Sequence, residues 1–303
     1  MQHLLPVINA LIVISLLCAV GMVLRRIGTF TDASIKSVST LIMTVAQPAL
    51  MISSTQFEYS PDTLIGFCQA TVFIFVSLVV LILACWALGR RLKPDTRKVM
   101  PMAVSMSNIG FIGVPIIRAV YGEGEAMLYL TAFIIGFNLA AWTVGISLFT
   151  GLHRGIFRNL INPVLIAAVF GLTLFLFRIP LPGPAKECVG YLSDLNTPLC
   201  MLLLGARLAD LKKQDLLDAG VWISAGLKTL AIPLLVFALC RLFGFGSLVT
   251  GVLVIGSAMP SAAMGQIMAE NYGGDVYFAV KAVSISTVLS LFTIPLIQWV
   301  TGI

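Results

Sequence analysis

Charged residues are scarce in this 303-residue chain, at 11% of the sequence, whereas hydrophobic residues make up 59%. A soluble globular protein of this size does not need so much apolar sequence. The mean hydropathy of +1.02 therefore predicts a polytopic α-helical membrane protein. The formal net charge of +6 does not indicate a nucleic-acid partner. Its meaning depends on which membrane loops carry the cations.

Histidines are few, and the cysteines are not clustered. The chain has 2 His and 6 Cys, and both histidines, His3 and His153, lie outside the apolar runs. No CxxC or other metal-ligand spacing occurs, so the cysteines are predicted to be small packing residues. No nucleophile–base pattern is visible either. We therefore expect no metal site, no cofactor and no enzymatic activity. A secretory signal is not expected either, because the first apolar run ends in Arg25-Arg26 without a small-residue cleavage site.

Long apolar runs fill most of the chain, and the loops between them are short. A transmembrane helix needs roughly 20 apolar residues. By that measure the sequence predicts ten spans and no soluble or nucleotide-binding domain. Their approximate limits are 4–24, 36–56, 62–89, 99–120, 124–150, 161–178, 186–208, 216–242, 248–271 and 275–300.

The loop cations are distributed unequally between the two faces of this ten-span chain. One face receives most of the 19 Lys and Arg residues, namely Arg25, Arg26, Lys36, Arg90, Arg91, Lys93, Arg97, Lys98, Arg154, Arg158, Arg207, Lys212 and Lys213. The other face receives Arg118, Arg178, Lys186 and Arg241. Because cytoplasmic loops carry the excess of Lys and Arg, the first face is predicted to be cytoplasmic. Both termini then lie on the periplasmic side of a bacterial-type inner membrane.

The two halves of the chain share sparse markers. Four pairs recur at an offset of about 150 residues, and they are Lys36 and Lys186, Pro48 and Pro198, Arg90 and Arg241, and Tyr121 and Tyr272. Five spans per half is an odd number, so the halves, 1–150 and 151–303, must insert with opposite orientation. Inverted repeats are typical of secondary transporters, which bind substrate near the midplane between the repeats.

The fourth and ninth spans occupy corresponding positions in the repeat, and both are poor continuous helices. In the fourth span, Asn108 and Gly110 precede Pro115, which has no N–H and clashes with the preceding turn. In the ninth span, Pro260 and Ser261 are followed by small residues. Corresponding interrupted spans are the best sequence pointer to a transport site. We expect the two spans to cross at unwound middles.

Such a crossing brings half-helix ends together and defines the candidate site. The N-terminal ends carry partial positive charge and free N–H groups, which suit an anion such as a carboxylate. Asn108 is predicted to line the site. Ser107, Ser261 and Gln266 are weaker candidates, because a membrane-helix serine most often bonds its own helix. Asn138 either reaches the cavity or bonds a neighbouring helix.

Lys228 lies near the middle of the eighth span, where a cation needs a partner or water. Three roles remain open: neutralising the carbonyl ends of the half-helices, attracting an anionic substrate, or titrating during transport. Asp194 is its one plausible deep acidic counterpart, although Asp194 could equally lie at a shallower, wet level. Paired central carboxylates are lacking, which favours an anionic substrate. Gln47 and Asn196 flank kink prolines and either face the site or satisfy kinked backbone.

The motifs resemble those of the auxin efflux carrier family. SNIGFIGVPIIRAVYG resembles that family's N-x(6)-P signature, AMPSAAMGQIMAENYGGD its ninth-span counterpart, and GLKTLAIPLL its eighth span. The resemblance covers essentially the whole chain, and the motif match carries over Asn108, Pro115 and Pro260. Family members often have an asparagine a few residues after the ninth-span proline, where this chain has Met264 and Gly265.

The resemblance implies a fold similar to sodium/proton antiporters and bile-acid symporters. Spans 1, 2, 6 and 7 would form a dimerising scaffold, and spans 3–5 and 8–10 a transport domain moving as an elevator. The expected function is secondary transport of a small organic anion, such as malonate, another dicarboxylate or an auxin-like acid. A sodium-coupled symporter and a non-transporting ligand sensor are the alternatives. A channel is disfavoured because no ring of pore charges is present.

Overall fold

The structure is a computed structural model that describes residues 4–56, 60–151, 161–210 and 218–303. Within these ranges the regular structure is helical, apart from a single antiparallel bridge. The prediction of an all-α protein is therefore confirmed. Several residues used in the sequence argument lie outside the described ranges: His3, His153, Arg154, Arg158, Lys212 and Lys213.

We label the helices of the described residues in chain order. They are α1 (Leu4–Arg26), α2 (Asp32–Ser53), α3 (Pro61–Arg91), α4 (Pro94–Ser105), α5 (Ile109–Tyr121), α6 (Glu125–Thr150), α7 (Pro163–Leu176), α8 (Gly183–Ala209), α9 (Ala219–Leu242), α10 (Ser247–Ala258), α11 (Met264–Tyr272) and α12 (Val276–Thr301). Single π-helical turns interrupt α2, α6 and α9 and open α5.

Six of these helices are long and apolar enough to cross a membrane: α2, α3, α6, α8, α9 and α12. Helices α5, α7 and α10 are apolar but shorter. A 12-residue helix such as α10 rises only about 18 Å, against a hydrocarbon core of about 30 Å. The chain is thus a membrane-embedded helical protein. The arrangement of ten spans in two inverted repeats stays a prediction, because six of the described helices meet the length and hydropathy of a membrane span.

Local sequence determines where several helices begin. At five helix starts a side-chain oxygen accepts a hydrogen bond from a backbone N–H of the first turn, as expected of N-capping residues. These caps are Thr31, Ser60, Asn162, Asp218 and Asp275. The helix boundaries next to the short loops are therefore encoded in the loops themselves.

Helices α1 and α8 approach each other closely because glycine lies at the contact. A Cβ added to Gly21 or to Gly205 would overlap the backbone of the facing helix, and small residues permit such approach in membranes. At the end of this helix pair, Arg25 bonds Asp210 and Asp32. We call the end that carries Arg25, Arg26 and Arg207 the cation-rich face.

Candidate substrate site at the crossing of two interrupted helices

The two predicted interruptions lie side by side in the structure. Extended segments separate α4 from α5 and α10 from α11, and the two segments pair in an antiparallel bridge between Ser107 and Ser261. The Asn108 N–H donates to the Pro260 carbonyl at 2.8 Å, and the Ala262 N–H donates to the Met106 carbonyl at 3.0 Å. Backbone groups freed by the two breaks therefore satisfy each other, as membrane-buried backbone must be satisfied.

The fourth span breaks before Asn108 rather than at Pro115. Pro115 lies near the start of the α-helical part of α5, just after the π-turn Ile109–Gly113, where proline is tolerated. In that turn the Val114 N–H donates to the Ile109 carbonyl, so the next donor in the series would be Pro115, which has none. Asn196 Nδ2 donates to the Gly110 carbonyl instead, at 2.9 Å. Asn196 thus satisfies irregular backbone, in α5 and not in its own helix.

Lys228 is fully buried and bonds both interrupted spans. Its ammonium donates to Ser107 Oγ and to the Ser257 carbonyl, each at 2.7 Å. Ser257 lies in the last turn of α10, so the cation meets the negative end of that half-helix. This is the geometry expected if Lys228 neutralises the carbonyl ends of the half-helices.

Asp194 lies at a shallow, exposed level and not deep beside Lys228. It forms an ion pair with Arg118 at 3.2 Å, and its side chain is 68% exposed. The prediction that Asp194 is the deep counterpart of Lys228 is therefore wrong, and Asp194 does not support the crossing. The reason is that α8 places Asp194 beside the far end of α5, whereas Lys228 bonds at the interruptions.

A cavity of about 200 Å³ extends from the crossing toward the cation-rich face. The side chain of Asn108 lines it and, within the described residues, has no hydrogen-bond partner. The first residues of α5 and α11 line it as well, and the first N–H groups of a helix lack intrahelical partners. Its polar and charged lining comes from Ser39, Thr44, Gln47, Ser107, Asn108, Asn138, Asn162 and Arg207, and most of the remaining lining is apolar.

The other predicted site residues divide into three groups. Gly110 and Asn138 line the cavity, although the Asn138 amide also donates to the Ile134 carbonyl of its own helix at 2.8 Å. Ser261 and Pro260 instead hold the crossing: Ser261 Oγ donates to the Ala103 carbonyl at 2.6 Å, and Pro260 accepts from Asn108. Gln266 donates to Glu270 one turn further on, at 2.8 Å, and does not line the cavity.

Two further residues line the cavity, Gln47 and Arg207; facing the site was one of two alternatives for Gln47 in the sequence, whereas Arg207 was not a site candidate. Gln47 is 8% exposed, its Oε1 has no partner among the described residues, and its Nε2 packs against Gly110. Arg207 was assigned to a loop. Its helical spacing from Leu203 and Leu204, four and three residues earlier, is the signal that it shares their cavity-facing side.

Broken, crossed helices beside a cavity in a helical membrane protein are a feature of transporters. The chain belongs to the Membrane transport protein family, which it matches over residues 6–156 and 152–298. This is the auxin efflux carrier-like family, so the identification from the motifs is confirmed.

Two archaeal proteins are similar to the chain along nearly its whole length. An uncharacterized transporter of Methanocaldococcus jannaschii is 24% identical over 96% of this chain and 98% of its own. An uncharacterized transporter of Methanothermobacter thermautotrophicus is 27% identical over 92% of this chain and 93% of its own. The family and these relatives are named as transporters, which is not a class of enzyme.

Proposed function

We propose that the protein is a secondary transporter of a small organic anion, with a carboxylate as the charged group. The cavity at the crossing carries this proposal, because Asn108 and the starts of α5 and α11 line it and no Asp or Glu lines it among the described residues. Free N–H groups at the positive end of a helix bind anions. The Asn108 amide adds a further donor.

The remaining lining favours an acid with an apolar body. Met43, Phe111, Phe137 and Trp142 supply large side chains around the cavity. A cavity of about 150 Å³ holds benzene, so a cavity of about 200 Å³ has room for a small aryl or alkyl acid. Of the substrates predicted from the sequence, an auxin-like acid therefore fits this apolar lining better than malonate does.

Alternating access is the mechanism that we propose, with the described state open toward the cation-rich face. At the opposite end, Arg118 of α5 pairs with Asp194 of α8 at 3.2 Å and with Glu123 at 3.5 Å. Helices α1, α2, α7 and α8 would form the scaffold, and α3–α6 with α9–α12 the moving domain. The bonds from Asn196 to Gly110 and from Arg118 to Asp194 join the two groups, so each transport cycle would break and remake them.

The proposed topology follows from the loop cations. Ten spans in two inverted repeats would place the cation-rich face in the cytoplasm and both termini in the periplasm. The scaffold helices would form a homodimer within the bilayer. Helix α1 has an exposed apolar stripe at Ile12, Leu16, Val20 and Val23, which lipid would cover in a monomer and a second copy would cover in the proposed dimer.

Replacing Asn108 tests its part in the proposed site. Asn108→Ala removes the amide that has no partner among the described residues, and we expect it to lower the counterflow of a transported acid about 5-fold to 30-fold, the effect of losing one to two kcal/mol of binding. Gln266→Ala is the matched control, because it removes an amide that lies outside the cavity. Both variants should unfold at the wild-type temperature. Equal counterflow rates in the two variants would remove Asn108 from the site.

A further inference from the structure

Arg207 is a cation that lines the cavity and has no anionic partner among the residues that the structure describes. It lies in the last turn of α8 and contributes to the cavity lining. The nearby carboxylate of Asp210 is bonded to Arg25, at 3.0 Å from each of two guanidinium nitrogens. Among the described residues, Arg207 has no ion pair and no side-chain hydrogen bond. Its guanidinium therefore retains free donors toward the cavity.

The chemistry of the site indicates what those donors would bind. A guanidinium presents a planar fork that matches a carboxylate in a bidentate arrangement. Arg207 is the one charged side chain among the lining residues of the described chain. An anion entering the cavity from the cation-rich face meets no repelling carboxylate in that lining. Within the described residues the cavity thus presents one unpaired cation and no other charge, which suits an organic acid that carries one carboxylate.

Arg207 lies far from the crossing along its own helix. Asn196, eleven residues earlier in α8, bonds the Gly110 carbonyl and so marks the level of the crossing. At 1.5 Å per residue, the backbone of Arg207 lies about 16 Å further toward the cation-rich face. Even a fully extended arginine side chain reaches only part of that distance. Arg207 therefore acts at the outer end of the cavity, not beside Asn108.

We propose that Arg207 forms an outer carboxylate-binding site, which captures the organic anion at the cation-rich face before the anion reaches Asn108. This inference rests on the proposed transport function and adds a second, separate contact to it. Arg207 would increase the occupancy of the cavity by substrate, and it would not take part in the movement of the crossing. The expected signature is a change in KM with little change in the maximal rate.

Three variants in proteoliposomes test this site, with benzoate and hexanoate as substrates. Arg207→Gln should raise KM for counterflow about 10-fold to 100-fold, as for the loss of a charge-assisted hydrogen bond, and change the maximal rate less than about 2-fold. Arg207→Lys keeps the charge without the planar guanidinium, so its KM should lie between those of the wild type and Arg207→Gln. Arg26→Gln is the matched control, because it removes a cation from the same face at an exposed position outside the cavity lining.

Salt provides a readout that a merely structural arginine would not affect. Wild-type KM should rise with ionic strength more steeply than that of Arg207→Gln, because screening weakens attraction to an accessible cation. An unchanged KM in Arg207→Gln, or an equal rise in Arg26→Gln, would overturn the outer site while leaving transport by the wild type intact.

Direct binding separates this proposal from the transport function. Benzoate should raise the unfolding temperature of the detergent-solubilised wild type, and Arg207→Gln should reduce that effect. Binding by the wild type without counterflow would contradict transport and still support the outer site if Arg207→Gln lost it. A wild type that neither binds nor exchanges either acid would overturn both.

Discussion

Gly110 and Gln47 touch inside the cavity, and their contact gives a quantitative prediction. A Cβ built on Gly110 would overlap Gln47 Nε2 and lie 3.2 Å from its Cδ. The overlapping atom is the end of a flexible side chain, so Gly110→Ala would force the Gln47 amide into another rotamer. The methyl group and the displaced amide would then occupy part of the cavity of about 200 Å³.

Two opposing terms set the effect of Gly110→Ala on stability. Moving Gln47 off its rotamer costs about 0.5–1.5 kcal/mol, whereas alanine gains up to about 1 kcal/mol over glycine in a helix. The net change in unfolding free energy should therefore be close to zero, between a loss of about 1 kcal/mol and a slight gain. In a Gln47→Ala background the clash is absent, so the same substitution should stabilise by about 0.5–1 kcal/mol.

A double-mutant cycle measures this difference. Unfolding of the four proteins in mixed micelles, followed by tryptophan fluorescence during an SDS titration, gives the coupling free energy, which we expect to be about 0.5–1.5 kcal/mol. Gly190→Ala is the control, because Gly190 is helical and an added Cβ there would meet no atom within 4 Å. Counterflow should fall in Gly110→Ala and stay unchanged in Gly190→Ala. A coupling energy of zero would refute the contact.

Two further predictions concern the crossing and the end opposite the cation-rich face. Lys228→Met removes two charge-assisted hydrogen bonds, worth about 1.5–3 kcal/mol each, and relieves a buried-cation cost of at least about 2.5 kcal/mol. We therefore expect a loss of about 0–3 kcal/mol in the micelle titration together with impaired counterflow, and wild-type behaviour in both would exclude Lys228 from the crossing. Asp194→Asn removes the ion pair with Arg118, so hydrogen–deuterium exchange should accelerate in residues 118–124 with less than about 1 kcal/mol change in stability. Unchanged exchange would show that this pair does not hold the end closed.

The general architecture of the site could be predicted because its causes are local. Runs of apolar residues require helices in a bilayer, and glycine, proline and serine in corresponding spans indicate where helices break. The prediction that Asn108 and Ser107 lie at the break follows from these patterns. Lys228 followed as well, since a cation in the middle of a span must find polar partners.

The remaining details depend on contacts between distant parts of the chain, which sequence patterns do not encode. The break precedes Asn108 because the extended segment bonds Pro260 and Ala262 in another span. Asp194 is shallow because α8 places it beside Arg118. The sequence predicts that Arg207 is a loop cation. In the structure α8 extends past Arg207, and the orientation of this helix places Arg207 in the cavity lining.

The same limit applies to the hydroxyl and amide candidates. Ser261 and Gln266 were equally weak site candidates in the sequence. In the structure Ser261 bonds the Ala103 carbonyl, whereas Gln266 bonds Glu270. Neither partner can be inferred from spacing around Pro260 alone. Asn108 differs because its amide keeps no partner among the described residues, and that distinction requires the packed structure.

Counterflow by the purified wild type is the decisive test of carboxylate transport. Proteoliposomes would be loaded with single mono- and dicarboxylates, including benzoate, hexanoate, malonate and indole-3-acetate, and assayed with and without sodium. We expect exchange of at least one carboxylate, independent of sodium and strongest for an acid with an apolar body. Exchange only with sodium would indicate a sodium-coupled symporter, and no exchange of any acid would contradict carboxylate transport.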